Sequence, residues 1–192
     1  EKLTESRKKV SQNIEVMLQA ELSDLNMASA KFKVSFLKEE KVSKNGKDSI
    51  EFLIATNVGQ DYKTLTKIAS GGEVSRIMLA LKTIFSKVDN IPILIFDEID
   101  IGVGGETVRK IAGKLKEIGK HAQVICITHS PQIAAKATQQ FYIEKNVVAN
   151  TTVTTVRELN QEERVREIGR MLAGENITDT VLSHALELLK ED

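Results

Sequence analysis

Ile93-Leu94-Ile95-Phe96 is an apolar run that ends in two acids, Asp97-Glu98, and a second run, Val124-Ile125-Cys126-Ile127, ends in Thr128-His129. Strands that are apolar at every position, rather than at alternate ones, belong to a sheet covered on both faces. Between the runs, residues 106–118 carry apolar side chains at helical spacing, and after the second run Pro131 opens another short helical stretch. Strand, helix, strand in that order predicts parallel pairing, because a parallel pair needs a crossover of about a dozen residues or more. The chain is therefore predicted to be α/β, with a largely parallel sheet flanked by helices.

Upstream of the first run, a helix is expected from about Gly71 to about Lys87, opened by Ser70-Gly71-Gly72-Glu73. Residues 56–69 before it are polar and irregular. Two alternating segments, 31–36 and 50–55, read as strands joined by a turn centred on Asn45-Gly46. Residues 3–30 place Val10, Ile14, Met17, Leu18, Leu22 and Leu25 at helical spacing opposite a charged side. No capping signal precedes this helix, as expected of a longer helix cut short. Downstream, Phe141-Tyr142-Ile143 and residues 151–156 alternate and are expected to extend or edge the parallel sheet. Two helices, at about 162–172 and 178–189, close the chain, and Gly174 stops the first. The predicted division is an entry helix at 1–30 and one α/β lobe at 31–192.

Composition narrows the function classes. The chain has 192 residues, 41% hydrophobic and 28% charged, the proportions of a soluble globular protein. Lys and Arg total 27, as do Asp and Glu, so no overall field draws nucleic acid to it. With 4% aromatic residues and no Trp, it offers no base-stacking platform. Arg7-Lys8-Lys9, Lys31 and Lys33 are interleaved with acids and read as solvated surface. Cys126 is the single cysteine, which rules out an internal disulfide, fits a reducing cytoplasm and reads as a small buried hydrophobe. No apolar run approaches the ~18 residues of a membrane span, and the charged first residues do not read as a signal peptide.

Three short motifs carry chemistry. Ser70 and Glu73 fit a capping box, in which the Ser caps the N3 amide and the Glu reaches back. Two glycines in a first helical turn cost roughly 1 kcal/mol each relative to Ala, which capping does not explain. Bare amides at a helix N-terminus accept a phosphate, so capping and phosphate binding both fit. Asp97-Glu98 stands at the carboxyl end of a strand, where open α/β sheets place ligand chemistry. One carboxylate can order Mg²⁺ through a bound water, and the next can orient or deprotonate an attacking water. The plainer reading is a pair of loop acids. In Thr128-His129-Ser130-Pro131, Ser130 suits an N-cap and Pro131 the N1 position. His129 is then expected on the same sheet edge as Asp97 and Glu98, where an imidazole can donate to a γ-phosphate oxygen; His121 and His184 read as structural. One usual companion is missing. No Gly-x-x-x-x-Gly-Lys-Ser/Thr loop occurs, because Gly46-Lys47, Gly113-Lys114 and Gly119-Lys120 all lack the earlier Gly and the following hydroxyl.

Together these residues resemble the ABC-type ATPases. Ser70-Gly71-Gly72-Glu73 resembles their signature motif, residues 93–98 their Walker B strand with its catalytic Glu, and His129 their switch histidine. Asp97-Glu98-Ile99-Asp100 is similar to the structural-maintenance-of-chromosomes (SMC) branch rather than to transporters, which usually carry Pro after the Glu. Within that branch, Lys67-Ile68-Ala69-Ser70-Gly71-Gly72-Glu73-Val74-Ser75-Arg76-Ile77-Met78-Leu79-Ala80-Leu81-Lys82, residues 96–105 and residues 164–174 resemble the bacterial RecN family, over essentially the whole chain.

The resemblance implies the C-terminal lobe of an ATPase head, with the end of a coiled coil in residues 1–30. ATP and Mg²⁺ would be its cofactors, and an N-terminal head lobe of the same protein would supply the phosphate loop. Two heads would dimerise around ATP. Ser70, Gly71, Gly72 and Glu73 would meet the γ-phosphate held by the opposite head. Asp97 would hold Mg²⁺ through water, Glu98 would polarise the attacking water, and His129 would sense the γ-phosphate. Asp100 and Gly102 fall in the D-loop that crosses the dimer interface. Two positions depart from the wider class: Ala69 stands where Leu is usual, and Gly104 stands where the D-loop ends in Asp. DNA would be met by the full-length protein, in double-strand break repair and recombination, in the bacterial cytoplasm at the nucleoid and away from membranes. A chromosome-organising or transporter-type head and a non-enzymatic interaction module are the alternatives. The flanks of the signature weigh against the first, and Glu98 together with His129 against the second.

Overall fold

The computed structural model describes residues 1–85, 88, 91–148 and 151–191. Two compact units divide the chain, Glu1–Ile127 and Thr128–Asp192.

The first unit opens with α1 (Lys2–Asp24). Leu18, Leu22 and Leu25 recur at helical spacing and are fully buried, whereas Val10 and Met17, read from sequence as part of the same stripe, are exposed. The helix stops six residues before the expected end near Ala30, and its C-cap explains why. Asn26 takes a left-handed φ of 59°, its amide reaches the Ser23 carbonyl, and the Met27 amide reaches Leu22 at 2.9 Å. That is a Schellman closure with Asn in the place usually held by Gly. Buried Met27 and Leu22 supply its apolar contact.

After α1 come β1 (Lys31–Ser43) and β2 (Gly46–Ala55), antiparallel, with Lys31 opposite Ala55 and Lys38 opposite Asp48. The hairpin turns through Lys44 and Asn45, since Ser43 pairs with Gly46, whose φ is 98°. Phe32, Val34 and Ile54 share the buried face, and Phe32 meets Phe52 edge-on at 5.4 Å. Asp48 fastens the hairpin to α1 by accepting from Thr4 Oγ1 at 2.8 Å and from Arg7 at 3.3 Å. The stretch expected to be irregular contains a short strand, β3 (Lys63–Thr64), paired with β2, and a 3₁₀ turn at Leu65–Lys67.

Next is α2 (Gly71–Phe85); its expected end near Lys87 lies outside the described residues. Then β4 (Ile93–Phe96), α3 (Gly105–Ile118) and β5 (Gln123–Cys126) form the strand, helix, strand succession. Val108, Ile111, Ala112, Leu115 and Ile118 line the buried side of α3. Lys114 Nζ joins α3 to α1, 2.5 Å from Glu21 and 3.3 Å from Asp24. Hydrogen bonds from Lys110 and then Lys114 hold the Asp24 carboxyl below its ordinary pKa. Such solvated pairs add little stability singly.

Strands β4 and β5 pair in parallel as expected, Ile93 opposite Gln123 and Phe96 opposite Cys126. Their burial alternates. Phe96 is buried and Leu94, Val124 and Cys126 half-buried on one face, while Ile93, Ile95, Ile125 and Ile127 are exposed on the other. The continuous apolar pattern called for cover on both faces, and among the described residues the Ile face is left exposed.

The second unit contains α4 (Pro131–Lys136), β6 (Phe141–Val148), β7 (Thr151–Glu158), α5 (Gln161–Ala173) and α6 (Asp179–Lys190). Contrary to expectation, β6 and β7 do not extend the parallel sheet. Among the described residues they pair only with each other, antiparallel, Phe141 opposite Glu158 and Ile143 opposite Val156. Alternating sequences suit such a ribbon, which needs one covered face at most. Around α4, α5 and α6, Ala134, Ala135, Ile168, Ala185 and Leu188 form a core. Helix α5 starts at a capping box that the sequence reading overlooked: Glu163 N donates to Asn160 Oδ1 at 3.0 Å, and Asn160 N to Glu163 Oε2 at 2.9 Å. It ends, as expected, at Gly174, with φ 66°.

Leu22→Ala should destabilise the first unit by about 2–5 kcal/mol, as truncation in a close-packed core does. Val16→Ala, on the same helix but in solvent, should stay within about 0.5 kcal/mol of the parent. Denaturant unfolding of both variants checks the assignment of α1's buried face.

Candidate functional site

The candidate site lies where the N-terminus of α2 meets the turn that follows β4, all within the first unit. Ser70 caps α2, its Oγ accepting from the Glu73 amide at 3.3 Å. Ser70 and Gly71 face solvent, and Gly72 is buried. Facing them, Asp97 and Glu98 are both exposed, whereas Ile99 and Asp100 are buried. Glu98 adopts φ 59°, a left-handed conformation uncommon for a residue with a Cβ. Its carbonyl accepts from the Ile101 amide at 3.2 Å, closing a tight turn.

This turn explains the two glycines without any ligand. A Cβ on Gly71 would run into the Glu98 carboxylate, and one on Gly72 would lie 3.0 Å from the Glu98 carbonyl oxygen and 3.3 Å from Arg76 Nη1. Gly72, which faces backbone, therefore has a packing role that the capping box left unexplained, whereas Gly71 faces only the flexible end of a side chain. The same proximity puts an exposed carboxylate at the positive end of the α2 dipole, a favourable position for negative charge.

Sequence reasoning missed two residues that build the site. Ser75 Oγ donates to the Asp97 carbonyl at 2.6 Å. Arg76, only 8% exposed, donates through Nη1 to the Ile101 carbonyl at 3.0 Å and, more weakly, to that of Ile99 at 3.5 Å. Burial pulls the Arg76 pKa below its ordinary value, partly offset by the charge of Glu73. The available signal was a cation beside Ile77 on the apolar face of α2, where a Leu or Ala would be ordinary.

The residues expected to form the D-loop follow directly. Asp100 is buried and engaged, Gly102 turns the chain at φ 73°, and Gly104 is the N-cap of α3. Cys126 is half-buried rather than fully enclosed, and burial pushes its thiol pKa up to about 12, helped by the charges of Asp100 and Asp97. His129 belongs to the second unit, exposed, just ahead of Ser130 and Pro131 at the start of α4. Ser130 holds the N-cap position, but its Oγ donates to Gln132 Oε1 at 2.8 Å instead of capping. Ser70, Gly71, Gly72, Glu73, Asp97, Glu98 and Asp100 are thus brought together; His129 belongs to the other unit. Among the described residues no group of three His, Cys, Asp or Glu is placed to hold a metal by itself, and no helix is long and apolar enough to cross a membrane.

The family model described as RecF/RecN/SMC N terminal domain matches residues 3–152. The chain belongs to that family. Its description names an N-terminal domain, where the resemblance implied a C-terminal lobe, so the match is to the family and not to that end of the protein. DNA repair protein RecN of Halalkalibacterium halodurans is 44% identical over 191 residues, 97% of this chain and 34% of the relative. DNA repair protein RecN of Treponema pallidum is 43% identical over 98% of this chain and 34% of its own length. The chain thus spans about a third of the length of these curated relatives. In fold it is similar to the Smc head domain with a coiled coil and joint from Pyrococcus yayanosii, TM-score 0.55, 21% identical, covering 86% of this chain and 29% of that one. A second Smc head domain, from Pyrococcus furiosus, gives a TM-score of 0.51 at 21% identity, over 88% of this chain and 39% of that one. The α/β fold is that of an SMC-type head lobe.

Gly72→Ala should destabilise by about 1–3 kcal/mol, because its Cβ meets backbone that has to shift. Gly71→Ala displaces only the flexible end of Glu98 and should change stability by less than about 1 kcal/mol. Melting temperatures of the two variants separate a packing requirement from a purely conformational one.

Proposed function

We propose that this chain is the signature-bearing lobe of an SMC-like, RecN-type ATPase, and that it hydrolyses ATP only after a phosphate-loop lobe of the same protein completes the head. Two such heads dimerise around ATP. Ser70, Gly71, Gly72 and Glu73 bind the γ-phosphate held by the opposite head, and Asp100 and Gly102 lie in the D-loop at the interface. Glu98 polarises the attacking water, and His129 senses the γ-phosphate. The observation that carries this reading is the abutment of α2's N-terminus, with Ser70 and Gly71 in solvent, against the exposed acids Asp97 and Glu98 at the end of β4.

The donor chemistry fits the cofactor. Asp97 offers an exposed hard oxygen, and Mg²⁺ binds through one or two carboxylates, waters and substrate phosphates rather than an all-protein cage. When bound, Mg²⁺ supplies charge neutralisation to the phosphates. The uncovered Ile face of β4 and β5 supports a second lobe, because a contiguous apolar patch marks an interaction surface. Residues 1–30 continue into a coiled coil, and the full-length protein acts on DNA at double-strand breaks and in recombination, in the bacterial cytoplasm at the nucleoid. The RecN relatives favour this over a chromosome-organising or transporter-type head.

Two outcomes follow. The isolated chain should show no ATP turnover, while the full-length protein hydrolyses ATP and Glu98→Gln lowers its rate by about 10²–10⁴-fold without abolishing nucleotide binding. Turnover by the isolated chain, or a full rate in Glu98→Gln, contradicts the assignment. Ser70→Arg in the full-length protein should block ATP-dependent dimerisation while the head stays folded. Loss of a cap alone lowers stability by about 0.5–2 kcal/mol and leaves dimerisation intact, so melting temperature and ATP-dependent sedimentation together decide between the two roles.

A further inference from the structure

We infer that Arg76 and Ser75 are positioning residues for hydrolysis, holding the backbone of the 97–101 turn so that Asp97 and Glu98 present their carboxylates from the carboxyl end of β4. The inference rests on the ATPase reading above and gives a role to two residues of the signature helix that the proposed function leaves without one.

Arg76 is placed where a charge is expensive. Arg76 is buried on a helix whose Ile77, Leu79 and Ala80 are buried too, its Nε is buried with no hydrogen-bond partner among the described residues, and Nη1 is met by the carbonyls of Ile101 and Ile99. A buried cation met by carbonyl dipoles is a poor source of stability, since similar volume could be filled by an apolar side chain. What the guanidinium does supply is geometry. It bridges two carbonyls that flank Asp100, and Ser75 Oγ, from the preceding residue of α2, binds the carbonyl of Asp97. Three of the five carbonyls in the turn are therefore held by adjacent residues of one helix.

The remaining constraint comes from Gly72, whose missing side chain lets the Glu98 carbonyl approach to 3.0 Å of where a Cβ would stand. Glu98 is kept at φ 59° within this grip. A left-handed backbone at a residue with a Cβ persists only when its surroundings over-determine it. Releasing the turn lets Glu98 return to an extended or right-handed conformation, which redirects its side chain. The carboxylate is then lost from the water-activating position while the phosphate contacts, which lie on other residues, remain.

The test uses the full-length protein and steady-state ATP hydrolysis with parallel melting curves. Arg76→Met keeps length and removes the donors, Arg76→Lys keeps one donor, and Ser75→Ala removes the second tether. In Arg76→Met, kcat should fall on the order of tenfold to a hundredfold, as expected for misplaced catalytic groups, with KM for ATP within about threefold of the parent. Arg76→Lys should recover part of that loss, and Ser75→Ala should lower kcat severalfold with an unchanged melting temperature. A parental kcat in Arg76→Met and Ser75→Ala, alongside hydrolysis that still depends on Glu98, overturns this inference and leaves the ATPase assignment standing. The same holds if Arg76→Lys is no better than Arg76→Met, or if activity merely follows the melting temperature. Absence of Glu98-dependent hydrolysis in the parent overturns both.

Discussion

A buried guanidinium held by backbone carbonyls fixes how the first unit's chemistry is arranged. Arg76 sits under the opening turns of α2 and reaches the carbonyls on either side of Asp100. With the Ser75 hydroxyl on Asp97 and the space left at Gly72, it sets the distance between a helix N-terminus and a strand end. These two features come from elements separated in sequence by the rest of α2 and by β4, so packing alone would leave their relative angle soft. Directional bonds to carbonyls make it definite. The exposed acids and the exposed cap then share one edge because the backbone beneath them has one arrangement.

Much of this was legible in the sequence, for identifiable reasons. The apolar runs at 93–96 and 124–127 announced the parallel pair, because continuous apolar strands with a helix between them need a crossover connection. Helix α3 and the stop at Gly174 were legible for the same reason. The end of α1 was not. Asn26 does the work normally signalled by Gly, and the next residues, Met27 and Ala30, keep the apolar spacing going past the true end. Strands β6 and β7 were found but misplaced, since alternation specifies a half-covered strand without naming its partner. At the site, the acids and the Ser-Gly-Gly-Glu motif were visible as residue types. Arg76 was hidden because a basic residue on a helix is ordinarily solvated, and only the fold reveals which face it occupies. The glycines were visible but their reason was incomplete: the crowding by Glu98 depends on a φ that no local pattern announces.

The β4–β5 pair connects fold to function differently. Its sequence is written for cover on two sides, and among the described residues one face stays exposed. Sequence and structure are both consistent here, since the demand for a second layer is visible in the first and its absence in the second.

That bare row of isoleucines also bears on how the protein is made and maintained. Ile93, Ile95, Ile125 and Ile127 are β-branched side chains on a short sheet with unpaired edges, the surface that quality-control factors and other unfolded chains recognise most readily. While such a face is exposed, the lifetime of a chain is set by competition between association, chaperone capture and degradation. Inherited changes at these four positions would therefore be felt first as altered abundance of the protein, before any change at the turn that carries the acids.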